Sequence, residues 1–166
     1  ISARLADLSE TVTITGSTSD ADDQFGHSIG LDEDRLVVGA PMADDEGSDS
    51  GAAFVFDVGG SELGRLVPES ATGGDLFGMA VAISDERLVV GAPGMNAGIG
   101  AVLRFDQSSR RQLEQLDGAA DGIGFGTSVA RSSNLLAVGA PDTDSQQGEA
   151  FARVVDVRFI FADRFE

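Results

Sequence analysis

The groups in this 166-residue chain that could do chemistry are carboxylates, serines and one histidine. His27 is the only imidazole, and a single histidine builds no two-histidine metal site. Cysteine is absent, so thiolate ligands and disulfides are excluded. A serine nucleophile needs an activating base, and in a chain without lysine only His27 could be one. Pairs of carboxylates hydrolyse glycosides. Sugar sites are normally floored by aromatic rings, however, and the chain has neither Trp nor Tyr. These residues predict a protein with no catalytic site and no resident cofactor.

The acids are more telling as a group. Asp and Glu number 28 against 11 basic residues, all arginine, for a net charge of −17. A surface of that sign repels phosphate backbones and anionic lipid, which argues against nucleic acid and acidic membranes as partners. Cations and proteins with basic patches are the complementary partners. No apolar run nears the ~20 residues of a membrane-spanning helix. Two acidic stretches invite comparison with a calcium loop. Asp142-Thr143-Asp144 opens like one, but Gln follows where further oxygen ligands and Gly are needed. Residues 42–51 are richer in carboxylates and lack ligand spacing. Both read as solvated polar loops.

What positions these groups is a repeat. Phe25-Gly26 leads to Gly39-Ala40-Pro41, Phe77-Gly78 to Gly91-Ala92-Pro93, and Phe125-Gly126 to Gly139-Ala140-Pro141. The Phe and the Pro stand 16 residues apart in all three copies. Inside each copy, residues such as 25–31 alternate between apolar and small or polar. A polar turn follows at 32–34, 84–86 and 132–134. Then comes a β-branched run, Leu36-Val37-Val38 and its equivalents, as expected of a strand buried on both faces. Proline ends it, because it cannot continue a central ladder.

A third strand is expected at 51–58, 100–107 and 148–155, and a weaker fourth at 61–68 and 111–118. Residues 9–26 align with 61–78 without a gap, which places one more fourth strand ahead of the first copy. Four short strands per ~50 residues is the pattern of a β-propeller blade. The predicted fold is all-β, with three four-stranded antiparallel blades in 1–157, repeats at 9–58, 61–107 and 110–157, and a tail at 158–166. The expected core is Phe25, Val37, Val38, Phe54, Phe56, Phe77, Val89, Val90, Phe105, Phe125, Val138 and Phe151. Closed propellers have about four to eight blades, so three blades are expected either to belong to a longer propeller or to self-associate.

The Phe-Gly…Gly-Ala-Pro frame resembles the FG-GAP repeat family, over about residues 9–157. The resemblance implies β-propeller blades like those in the heads of integrin α subunits. It also implies extracellular adhesion or ligand binding without catalysis. Integrin-type blades often carry an Asp-rich calcium loop between strands 1 and 2. Here that connection is a short turn, so the chain is similar to a short bacterial variety, and no integrin calcium site carries over. The ending at 158–166 is similar to Phe-rich acidic endings of exported Gram-negative proteins, which implies export. A scaffold role without a ligand, or an accessory role beside a secreted enzyme, are the alternatives.

Antiparallel strands sort the loops onto two ends. The connections between strands 4 and 1 and between strands 2 and 3 share one end. They hold Asp20, Asp22, Asp23, Glu69, Asp75, Asp117 and Asp121, with Asp44, Asp45, Glu46, Asp49, Asp142 and Asp144. The other end mixes Asp32, Glu33, Asp34, Asp85 and Glu86 with Arg35, Arg87 and Arg131. The first end is therefore expected to collect Ca²⁺ weakly or to steer a basic protein partner, centred on Asp20, Asp22, Asp23, Asp44, Asp45 and Glu46, with Asp142 and Asp144 contributing.

Overall fold

The computed structural model describes residues 13–119, 122–143 and 149–154. Strands are the only regular elements among them. The first sheet is β1 (Ser28–Asp32), β2 (Arg35–Ala40), β3 (Ala52–Asp57) and β4 (Glu62–Leu66), antiparallel and in chain order. The second repeats it with β5 (Ala80–Ser84), β6 (Arg87–Ala92), β7 (Ala101–Asp106) and β8 (Gln112–Asp117). The short β9 (Gly122–Ile123) follows. The third sheet holds β10 (Ser128–Ser132), β11 (Leu135–Ala140) and β13 (Glu149–Val154), and β12 (Asp142–Thr143) pairs with β9.

Each hairpin closes on two residues, Glu33-Asp34, Asp85-Glu86 or Ser133-Asn134, one fewer than the turn read from sequence. Positive φ at Glu33, Asp85, Glu86 and Ser133 gives these turns the hand that matches strand twist. The first strand is shorter than expected. Phe25 to His27 form a turn, with the His27 N–H donating to the Gln24 carbonyl at 3.0 Å.

Among the described residues stand two four-stranded sheets, one sheet of three strands and the β9–β12 pair, so the four-strand pattern is seen in two of the three expected blades. Segment 111–118 pairs with β7, Leu116 opposite Val102, and so completes the second sheet rather than opening the third. Residues 13–16, expected to end a fourth strand, carry none, and 1–12 lie outside the described residues, as does the tail at 158–166.

The sheets stack face to face. In each sheet one face, here called leading, looks toward the chain's start, and the opposite, trailing face looks toward its end. Residues alternate between them along each strand. Trailing residues Val37, Ala53 and Val55 of the first sheet share one cluster with leading residues Val81, Ile83, Leu88, Val90, Leu103 and Phe105 of the second. Trailing Val89 and Val102 pack in turn with Phe125, Leu136 and Val138. A third cluster, with Val38, Phe54 and Phe56, lies on the first sheet's leading face. Of the expected core, Phe25 is only half-buried, because no sheet stands on that side of it among the described residues. The side chain of Phe151 lies outside what the structure describes.

At the turn after β7, Asp106 holds Ser109. Its Oδ1 accepts the Ser109 N–H at 2.8 Å and the Ser109 hydroxyl at 2.7 Å, and Arg87 Nη1 lies 3.0 Å from Oδ2. These donors, the backbone N–H first, hold the carboxyl below its ordinary range. A depressed acid stabilises the fold above its unfolded pKa and loses that contribution as pH falls through its folded value. Asp106→Asn should therefore lower the unfolding midpoint at neutral pH, and its gap from wild type should close between about pH 5 and pH 2. Denaturant titrations across that range check it. A gap constant with pH contradicts it.

Candidate functional site

The repeat motif is a clasp, both within a sheet and between sheets. In each copy the N–H of the Phe-Gly glycine donates to the carbonyl of the Gly-Ala-Pro glycine: Gly26 to Gly39 at 3.0 Å, Gly78 to Gly91 at 3.1 Å, Gly126 to Gly139 at 3.1 Å. That bond ties the two ends of the hairpin and accounts for the constant spacing of Phe and Pro. Between sheets, the Phe77 N–H donates to Ser50 at 3.1 Å and the Phe125 N–H to Ile99 at 3.0 Å. The backbones meet so closely that a Cβ at Gly39 would fall 2.0 Å from the Gly78 carbonyl oxygen, and one at Gly91 1.9 Å from that of Gly126. These glycines have no side chain because the next sheet occupies its place.

Against the expectation that the chain holds no hydrolase nucleophile elbow, residues 26–30 read Gly-His-Ser-Ile-Gly, which has its spacing. An elbow needs a sharp strand-to-helix turn that exposes the hydroxyl. Here the pentapeptide runs from a turn into β1, and the Ser28 hydroxyl donates to the Gly78 carbonyl at 2.8 Å. Ser28 thus belongs to the clasp.

Five of the eight acids expected to act together lie close. Asp20, Asp22, Asp23, Asp44 and Asp45, with Thr18, line one cleft of about 560 Å³ at the loop end of the first sheet. Glu46 stands beside it, 3.6 Å from Arg65 Nη2. The side chain of Asp142 lies outside what the structure describes. Its backbone sits in β12, opposite Ile123 of β9, so the expected open loop begins with a strand pair. Asp144 lies outside the described residues.

Several of these acids have structural partners. Asp23 is buried, and its Oδ2 accepts the Asp20 N–H at 2.8 Å. Asp75, at the same place before Phe77, is buried too and accepts the Thr72 N–H and hydroxyl at 2.7 and 2.9 Å. Each closes the turn that leads into its Phe-Gly pair. The sequence signal was their shared offset, two residues before the Phe. Asp44 Oδ1 accepts the Asp49 N–H at 2.8 Å and ties off the loop between β2 and β3. Arg65, from β4, pairs with Asp45 and was not foreseen, because its loop partners are distant in sequence. Asp20 and Asp22 are exposed.

Among the described residues no three His, Cys, Asp or Glu side chains converge to hold a metal ion. The cleft presents a spread of negative charge. The opposite end also has an acidic cleft, about 510 Å³, where Asp32, Glu33, Asp34, Asp85 and Glu86 surround Arg35. Arg35 is drawn onto Asp34 at 2.6 Å. The contrast between the two ends is therefore smaller than the loop counts imply.

No helix among the described residues is long and apolar enough to cross a membrane. A search of curated proteins finds no match. The model of the FG-GAP repeat family matches residues 8–56 and 61–103, more than half of the chain. The matched segments take in two whole Phe-Gly…Gly-Ala-Pro frames, and the clasp bonds show what those motif residues do. The chain belongs to the FG-GAP repeat family.

Proposed function

We propose that this protein is a non-catalytic binding module of the adhesion type, working outside the cell, and that its acidic cleft receives basic groups of a protein partner. The observation that carries this reading is the convergence of Asp20, Asp22, Asp44 and Asp45 on one cleft at the loop end of the first sheet. Family membership supports the setting, since FG-GAP repeats are often found in extracellular, adhesion-type propellers. Loops fixed on a rigid sheet are where binding residues usually sit. A diffuse carboxylate field suits guanidinium and ammonium groups, which need no closed coordination shell.

The test is titration of an oligo-arginine peptide by calorimetry at low and at high salt. Asp20→Asn with Asp22→Asn is the informative variant, because both side chains are exposed and their turn is closed by the Asp23 carboxylate, not by theirs. Two lost charges of this kind should weaken binding by about tenfold at low salt, and the loss should shrink as salt rises. The pair Asp85→Asn with Glu86→Gln, at the opposite end, should leave affinity within about twofold. Equal losses in the two variants, or binding indifferent to salt, would favour a scaffold with no dedicated ligand.

A further inference from the structure

The two ends of the stack carry the halves of one more sheet junction. On the leading face of the first sheet, Ile29 and Leu31 are 63% and 66% exposed. They stand opposite Val38 and Leu36, so they share the face of Phe54 and Phe56. Their counterparts in the second sheet, Val81 and Ile83, are only 8% and 7% exposed, because the first sheet covers them. Gly26 is open in the same way. A Cβ there would meet nothing within 4 Å, whereas one at Gly78 or Gly126 would strike the carbonyl of Ala52 or Ala101.

The trailing face of the third sheet is the other half. Gly39 and Gly91 each abut the next sheet, while a Cβ on Gly139 would meet only Ser128 among the described residues. Pro141 is exposed where Pro41 and Pro93 are buried. The positions of β10 and β11 on this face are Ser128, Ala130, Ser132, Leu135, Ala137 and Gly139, small for the most part and without charge. In the first sheet the corresponding row includes Asp32 and Arg35. On β1, β2 and β3 the leading face is uncharged as well, and its charged residues, Glu62 and Arg65, stand on the edge strand β4. A chain of net charge −17 repels its own copies, so two copies can meet only through faces like these.

A further fit concerns strand four. The gapless alignment of 9–26 with 61–78 sets Ile14 in the place of Leu66. Leu66, on β4, belongs to the cluster that holds Phe77, and Ile14 packs against the cluster that holds Phe25. Ile14 thus stands where a fourth strand of a sheet ahead of the first would place its apolar residue. The third sheet has three strands among the described residues.

We propose that a second copy of this chain supplies that sheet. The trailing face of the third sheet of one copy seats on the leading face of the first sheet of the other. The reciprocal contact closes a ring of two chains. Two stacks, each of the three blade sheets found among the described residues, make a ring of six, inside the range of about four to eight blades in which propellers close. Head-to-tail contacts whose rotation closes give rings rather than filaments. The repeat also supplies the register. Ile83 packs over Gly30, where an added Cβ would lie 3.4 Å from Ile83 Cγ2. The same relation sets Leu31 of one copy over Ala130 of the other.

Sedimentation equilibrium of the whole chain tests this, with circular dichroism melts to confirm that each variant folds. Wild type should have twice the mass of one chain, and the dimer should tighten with added salt as self-repulsion is screened. Leu31→Asp and Ala130→Arg should each raise the dissociation constant about thirtyfold or more, as loss of a central anchor does. Their melts at dilution should match wild type, since both residues are exposed. The double variant, which sets Asp over Arg at each junction, should recover most of the affinity. A wild-type monomer at roughly 100 μM, far above the dissociation constants of specific dimers, overturns the proposal. So does a dimer that either single variant leaves intact, or one that the double variant fails to restore.

Discussion

Gly91→Ala should destabilise the folded chain by about 3 kcal/mol or more, the upper end of what overpacking costs. The added methyl would lie 1.9 Å from the Gly126 carbonyl oxygen, and backbone cannot rotate aside as a side chain can. The second and third sheets would have to part to admit it. Gly139→Ala is the matched control. Its methyl would meet only the Ser128 hydroxyl among the described residues, which another rotamer can move, so its cost should stay within about 1 kcal/mol. Denaturant unfolding at dilution, with an unchanged slope, reads both values. Equal costs for the two alanines would mean that the second and third sheets do not meet as described.

Phe77→Ala should cost about 3–5 kcal/mol and Phe25→Ala less than about half of that. The two phenylalanines hold the same motif position, and each packs edge-on to rings of its own sheet. Phe77 lies 5.7 Å from Phe105, and Phe25 5.4 Å from Phe54. They differ in what stands on their far side. Phe77 is fully buried at the junction of two sheets, whereas Phe25 has no sheet before it among the described residues. The difference between the two variants therefore reports the junction and not the ring contacts. The same denaturant titrations measure it, and equal losses would show that the first sheet does not cover Phe77.

The sequence made the sheets legible because local rules and the repeat agree. Alternation, β-branched runs and Gly-Ala-Pro stops placed each hairpin and each third strand within a few residues of the structure. The partnership of strand four was harder to see. Segments 61–68 and 111–118 look alike whether they open one sheet or close another, and only the pairing of Leu66 with Ala53 and of Leu116 with Val102 decides it. The half-burial of Phe25 was equally hidden, since motif identity says nothing about whether a neighbour is present. At the acidic end, sorting loops by strand direction put Asp20, Asp22, Asp44 and Asp45 together, and the four line one cleft. Which of the acids are tied into turns, and that Arg65 reaches Asp45 from β4, depends on side-chain positions that loop sorting does not see.

The central claim is that the Phe-Gly…Gly-Ala-Pro frame clasps successive sheets into one stack. Amide hydrogen exchange at Phe77 and Phe125 tests it most directly, because their N–H groups lie in loops and donate across the junction, to Ser50 and Ile99. The stack predicts protection at both amides comparable to that of the strand cores at Val90 and Val102, and far above that of the exposed turn residue Ser108. Exchange at Phe77 and Phe125 as fast as at Ser108 would contradict it.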